Sequence, residues 1–132
     1  MLSFVSGAAK KVLSAIGKTV ALIEFAPDGK IITANEFFCR ALGFDLSEIK
    51  GRRHDMFVEP GYSANPDYLD FWTRLGRGES IAGEFKRIGK GGKEVWFQAS
   101  YNPVLNRSGK VAKIVEIAMD VTTAKMQALT LA

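Results

Sequence analysis

Residues 94–105 read EVWFQASYNPVL, and their alternation decides the fold. Val95, Phe97, Ala99 and Tyr101 fall on one side, and Trp96, Gln98, Ser100 and Asn102 on the other. A period of two marks a β-strand with one buried face. Upstream, Gly89-Lys90-Gly91-Gly92 is turn chemistry, and Ile81 to Ile88 before it reads as a strand. Downstream, Asn106-Arg107-Ser108-Gly109 is a second turn, and Lys110 to Met119 is a third strand. Three strands joined by tight turns make an antiparallel meander.

The first half supplies the remaining elements. Thr19 to Phe25 (TVALIEF) reads as a strand, Pro27-Asp28-Gly29 as a turn, and Lys30 to Thr33 as the returning strand. Ala34 to Leu42 has helical spacing at Phe37, Phe38, Ala41 and Leu42, and Gly43 stops it. Asp45 to Ile49 can add one helical turn, and Lys50 to Asn65 reads as a loop. Asp67 to Leu75 is a second short helix, with Pro66 at its start. Residues 3–17 carry apolar positions at helical spacing, among them Phe4, Val5, Val12 and Ile16. Asp120 to Ala132 begins an outgoing helix. The expected organisation is a flanking helix over 1–18, a domain over 19–122 and an output helix from 123. The fold class is α+β, a five-stranded antiparallel sheet with short helices over one face. Such a cup either fills its interior with side chains or holds a small ligand.

Composition narrows the function. A chain of 132 residues fits one domain. Its 18 Lys and Arg are interspersed with 14 Asp and Glu, so no basic patch for nucleic acid is expected. No apolar run is long enough for a membrane span. Lys10 and Lys11 interrupt the N-terminal apolar stretch, which argues against an export signal and for the cytoplasm. The chain holds one His and one Cys, and no nucleophile–base pair, paired-carboxylate motif or metal cluster stands out. An enzyme is therefore not expected. Cys39 reads as a small buried hydrophobe.

Taken together, DGKIITANEFFCRALGF (28–44), FWTRLGRGE (71–79), GEFKRIGKGGKEVWFQASYNPVLNRSGKV (83–111) and the closing Asp120-Val121-Thr122 resemble the PAS sensor domain over roughly residues 19–122. GRRHDMF (51–57), DFWTRLGRGE (70–79) and WFQASYNPV (96–104) resemble most closely the PAS domains of bacterial chemoreceptors and aerotaxis receptors. The resemblance implies a cytoplasmic sensor of redox, oxygen or a small ligand. Its partners would be a homodimer mate and a downstream signalling helix or domain. The implied cofactor is haem b or FAD, as in some members of the family, or none, as in others. A cofactor-free dimerisation and protein-interaction module is the alternative.

The resemblance also nominates residues. Asn35 and Trp72 match positions that matter for flavin in aerotaxis receptors, and Arg87 matches a flavin-contacting position in related sensors. Tyr68 lies one helical turn before Trp72. Phe97, Tyr101, Ile114 and Glu116 would face the cavity. His54, the one histidine, could ligate haem iron or simply bond its own loop. Arg87 and Glu116 could instead pair with each other and need no ligand. Val58-Glu59-Pro60-Gly61 stands where flavin-binding aerotaxis receptors carry a basic-His-Pro-Asp stretch, a departure that weighs against flavin. Asp120 is expected to pair with a basic residue of the last turn, and Thr122 to cap the outgoing helix and serve as the output lever. Trp96 would be exposed unless the N-terminal helix or a second subunit covers it, so a dimer through that helix and the convex sheet face is expected.

Overall fold

The computed structural model describes residues 20–131 together with Lys11, Ser14 and Ala15. The five strands are β1 (Ala21–Phe25), β2 (Ile31–Ala34), β3 (Ile81–Ile88), β4 (Glu94–Leu105) and β5 (Val111–Asp120). They form one antiparallel sheet, as expected, and its order is β2-β1-β5-β4-β3. Four helices accompany it: α1 (Glu36–Leu42), α2 (Leu46–Ile49), α3 (Pro66–Gly76) and α4 (Thr122–Leu131). The expected flanking helix over 1–18 lies outside the described residues, three of them excepted.

The parity of β4 orders the core. Val95, Phe97, Ala99 and Tyr101 are buried, while Trp96, Gln98, Ser100 and Asn102 face the convex side. Opposite them on the inner face stand Arg87 and Phe85 of β3 and Glu116 and Ala118 of β5. Phe38 and Leu42 of α1 and Leu75 of α3 close the layer above. Asn35 holds α1 on the sheet. Its Oδ1 accepts the Leu22 and Phe38 N–H groups, both at 3.0 Å, and its Nδ2 donates to the Val20 carbonyl. One side chain thus caps the helix and clasps β1.

The stretch from Lys50 to Asn65, expected as loop, contains two 3-10 turns, His54–Phe57 and Tyr62–Ala64. A single turn of this kind leaves no periodicity to read. Its consequence is large, because it sends His54 and Phe57 inward, each 1% exposed.

Gly43 and Gly89 set where α1 ends. Gly43 adopts φ 79° and donates its N–H to the Cys39 carbonyl, closing the helix. Gly89 lets the β3–β4 turn approach that end, since a Cβ there would lie 2.5 Å from the Leu42 carbonyl oxygen. Backbone cannot yield as a side chain can. Gly89→Ala is therefore expected to cost about 2 kcal/mol in urea unfolding. Gly76→Ala, with nothing within 4 Å of its Cβ, should stay within about 0.5 kcal/mol of the parent. Equal effects of the two substitutions would refute the close approach.

Candidate functional site

Five elements bring polar side chains to one buried point. His54 comes from the first 3-10 turn, Tyr68 from α3, Arg87 from β3, Tyr101 from β4 and Glu116 from β5. Tyr101 is fully buried, and His54, Arg87 and Glu116 are 1%, 7% and 2% exposed. His54 Nδ1 lies 2.8 Å from the Tyr68 hydroxyl and Nε2 lies 3.1 Å from the Tyr101 hydroxyl. Arg87 Nη2 donates to the Tyr101 oxygen at 3.0 Å. Glu116 stands opposite Tyr101 across the strands, near enough to its hydroxyl for each to shift the other's pKa.

These partners constrain the protons. Arg87 can only donate, so the Tyr101 oxygen accepts from it and keeps its own O–H to donate. In the neutral His54 ring one nitrogen donates and the other accepts, so the Tyr68 and Tyr101 hydroxyls take opposite roles there. Burial, and next the Arg87 charge, hold the His54 pKa well below its ordinary value, which keeps the ring neutral. Burial pushes the Glu116 carboxyl up to about 7, against the pull of Arg87 and the Tyr101 hydrogen bond. Burial likewise pushes the Tyr68 phenol up to about 12. Arg87 and Glu116 make no direct ion pair; Arg87 bonds the Tyr101 hydroxyl, which the Glu116 carboxyl faces across the strands.

An aromatic shell surrounds the network. Six rings stand around His54, those of Phe25, Phe57, Tyr68, Phe71, Trp72 and Tyr101. Phe71 packs edge-on to Tyr101 with ring centroids 4.8 Å apart. Phe25 and Phe71 were not nominated from the sequence. The signals were present: Phe25 shares the inward parity of Ala21 and Ile23, and Phe71 follows Tyr68 by three on α3. A cleft of about 150 Å³, bordered by Gly29, Arg53, His54, Tyr68 and Trp72, reaches this shell.

The other nominated residues divide. Phe97 and Ile114 are fully buried core residues. Asn35 spends its hydrogen bonds on β1 and α1, away from the network. Trp72 stands at the network with its indole N–H buried; that N–H lies near enough to Tyr68 to lower its pKa, yet makes no hydrogen bond of normal geometry. Asp120 does not pair with a base of the last turn. Its Oδ1 accepts both the N–H and the hydroxyl of Thr122, at 2.9 and 2.5 Å, at the junction of β5 and α4. The Thr122 oxygen in turn accepts the Trp96 N–H at 3.0 Å. Trp96 is half-buried, with the Lys125 ammonium of α4 4.5 Å from its ring centre, so among the described residues α4 helps to cover it. Cys39 is half-buried, less than expected.

The donor set does not fit haem. Both His54 nitrogens face tyrosine hydroxyls, so iron would have to stand where a hydroxyl stands. It suits flavin better. Trp72 Nε1 and Arg87 Nε are buried N–H groups without acceptors, and flavin offers carbonyl and ring-nitrogen acceptors. Trp72, Arg87 and Tyr68 would hold it, and the flavin would supply redox sensitivity. Among the described residues no group of three or more His, Cys, Asp or Glu could hold a metal ion. None of their helices is long and apolar enough to cross a membrane.

The chain is similar to known proteins in sequence and in fold. The chain is 43% identical over 110 residues to the biofilm dispersion protein BdlA of Pseudomonas aeruginosa, a match covering 83% of this chain and 26% of that one. It is 29% identical over 99 residues to the aerotaxis receptor of Escherichia coli, covering 75% of this chain and 19% of the receptor. The chain therefore spans about a quarter or less of these relatives. Among solved structures, the PAS domain of a Colwellia psychrerythraea protein superposes with a TM-score of 0.74 at 19% identity, over 88% of this chain and 98% of that one. A light-oxygen-voltage domain studied with a flavin analogue superposes with a TM-score of 0.72 at 22% identity, over 93% and 91%. The family model described as PAS fold matches residues 18–125, which include every strand and every residue of the buried network. By that match and this topology, the chain belongs to the PAS family of sensor domains.

Proposed function

We propose that this chain is the sensory input unit of a cytoplasmic, chemoreceptor-like signalling protein. It senses redox state, oxygen or a small ligand at the His54–Tyr68–Tyr101–Arg87–Glu116 network and passes the outcome to α4. The observation that carries this reading is the fastening of α4 to the sheet. Thr122 and Val121 grip Trp96 from either side of the peptide, through the Trp96 N–H to Thr122 and the Val121 N–H to the Trp96 carbonyl at 2.9 Å. Trp96 sits between Val95 and Phe97 of the inner face, so a shift of that face moves the root of α4. Polar groups in an apolar core cost stability, and their retention is explained if a ligand or proton acts on them.

In this reading residues 1–18 are the flanking helix, 19–122 the sensor and 123–132 the start of the output helix. The partners are a second copy, through the N-terminal helix and the convex face, and a downstream signalling helix or domain. The role is binding rather than catalysis. FAD is the cofactor whose acceptors suit the unmatched donors. A second reading, a cofactor-free interaction module, is favoured by the tight ring packing already present around His54.

Absorption of the freshly purified chain, before and after dithionite, separates the two. Flavin bands that bleach on reduction, weakened by Trp72→Phe, are expected from the first. A colourless chain whose α4 amides exchange at the same rate with and without dithionite would remove the redox reading and leave the interaction module.

A further inference from the structure

All three tyrosines of the chain and its one histidine fall on a single line from the surface to the core. Tyr62, in the second 3-10 turn, is 40% exposed. Its ring meets the Tyr68 ring edge-on, with centroids 5.6 Å apart. Tyr68 is 8% exposed, and its hydroxyl lies 2.8 Å from His54 Nδ1. The Tyr101 hydroxyl ends the line, 3.1 Å from Nε2.

An electron cannot leave a buried aromatic ring alone, because the cation left behind is an unpaired buried charge. The ring must also lose a proton, so it needs a base beside it and an electron route outward. Tyr68 has both, in His54 and in Tyr62. The tryptophans lack the base, since the indole N–H groups of Trp72 and Trp96 are buried without an acceptor. Tyr101 lacks the route. The rings packed against it, His54, Phe71 and Phe85, give up an electron less easily than a phenol does.

We propose that Tyr68 is a one-electron redox centre, with His54 Nδ1 as its base and Tyr62 as its electron outlet. This rests on the redox-sensing reading of the interior network and gives it a chemistry carried by the chain's own side chains. The oxidant is a small surface-borne radical of the nitrogen-dioxide class. It takes one electron from Tyr62 and becomes nitrite, while the Tyr62 phenol gives its proton to water. Tyr62 then recovers an electron from Tyr68 and a proton from water. The Tyr68 O–H bond breaks, its proton passes to Nδ1, and a neutral phenoxyl radical remains. The sum is one electron delivered to the oxidant and one proton moved across a 2.8 Å hydrogen bond. The step uses the tautomer with its proton on Nε2, donated to the Tyr101 oxygen. Oxidation thus turns a neutral ring into a cation on the hydroxyl that Arg87 also holds. Like charges repel there, on β4, the strand whose Trp96 fastens α4. Burial and Arg87 disfavour a proton on His54, so it returns to Tyr68 on reduction and the centre is reversible.

The test is flash oxidation of the full chain by photogenerated ruthenium(III) tris-bipyridine, read by electron paramagnetic resonance. A long-lived tyrosyl radical is expected in the parent and is lost in Tyr68→Phe. Tyr62→Phe should slow its appearance and keep its yield, and Tyr101→Phe should retain it. High-field spectra should show a hydrogen bond to the phenoxyl oxygen, which His54→Phe removes. Isotope-labelled histidine reports the same bond in the parent, without any substitution. A long-lived signal on Trp72 or Trp96, a tyrosyl signal that survives Tyr68→Phe, or none at all would overturn the redox centre. A radical on Tyr68 without that hydrogen bond would overturn His54 as its base. None of these failures touches the sensing reading, which the dithionite comparison tests separately.

Discussion

Tyr101→Phe is expected to lower the free energy of unfolding by about 3 kcal/mol while the fold persists. The ring remains, so its packing against Phe71 and Phe85, at 4.8 and 5.4 Å, is kept. What disappears is one oxygen bonded to two buried partners, Arg87 and His54, with the Glu116 carboxyl facing it. A buried polar group left without its partner costs about 1–3 kcal/mol, and two such groups in one network do not add in full. Tyr68→Phe removes a hydroxyl with one hydrogen-bond partner in the network, His54, and should cost about 1 kcal/mol. Urea unfolding of both variants checks the ratio. A Tyr101→Phe protein as stable as Tyr68→Phe would mean that Arg87 and His54 find other partners, and the hub would be lost.

The sheet was legible because period-two alternation is a local signal. β4 declares its inner face through Val95, Phe97, Ala99 and Tyr101, and the turns on either side declare its neighbours. The inner-face position of Glu116 was also legible, from its interruption of an apolar run. The place of the Tyr101 hydroxyl between Arg87 and Glu116 was not. Whether Arg87 meets Glu116 directly depends on the length of two side chains and on a third reaching between them, which strand parity does not encode. His54 was visible as a singular residue, but its environment comes from a 3-10 turn too short for periodicity. Asp120 was misjudged for a similar reason. A carboxylate two residues before a threonine hydroxyl can bond locally, and at a strand-to-helix junction that bond outcompetes a distant base. The buried Glu24–Lys113 pair on the convex face, 2.5 Å apart and 1% and 3% exposed, was signalled only by Glu24 breaking the run TVALIEF.

The pH dependence of stability should carry the mark of Glu116. Its folded pKa is raised to about 7, above the ordinary carboxyl value of 4.5 in the unfolded chain. Between these values the folded state holds the extra proton, so stability falls as pH rises from about 4.5 to about 7 and is level beyond. The difference corresponds to about 3 kcal/mol at most. His54 works in the opposite sense. It is held neutral in the fold, so the unfolded chain binds more protons below about 6.5 and acid destabilises. The two contributions oppose each other between about 4.5 and 6.5, which flattens the profile of the parent protein. The groups facing the carboxyl are Tyr101 from β4 and Arg87 from β3, with His54 beyond Tyr101; β1 contributes only Ile23. Glu116→Gln removes the carboxyl and keeps an oxygen for the Tyr101 hydroxyl. Relative to the parent, this variant should gain about 2–3 kcal/mol between about pH 5 and about pH 8. Parallel profiles for the two proteins would mean that Glu116 ionises at its ordinary value. A gain of the expected size would mean that near neutral pH one proton sits on the strand joined to α4, where a ligand that displaces the Tyr101 hydrogen bond would also displace the proton.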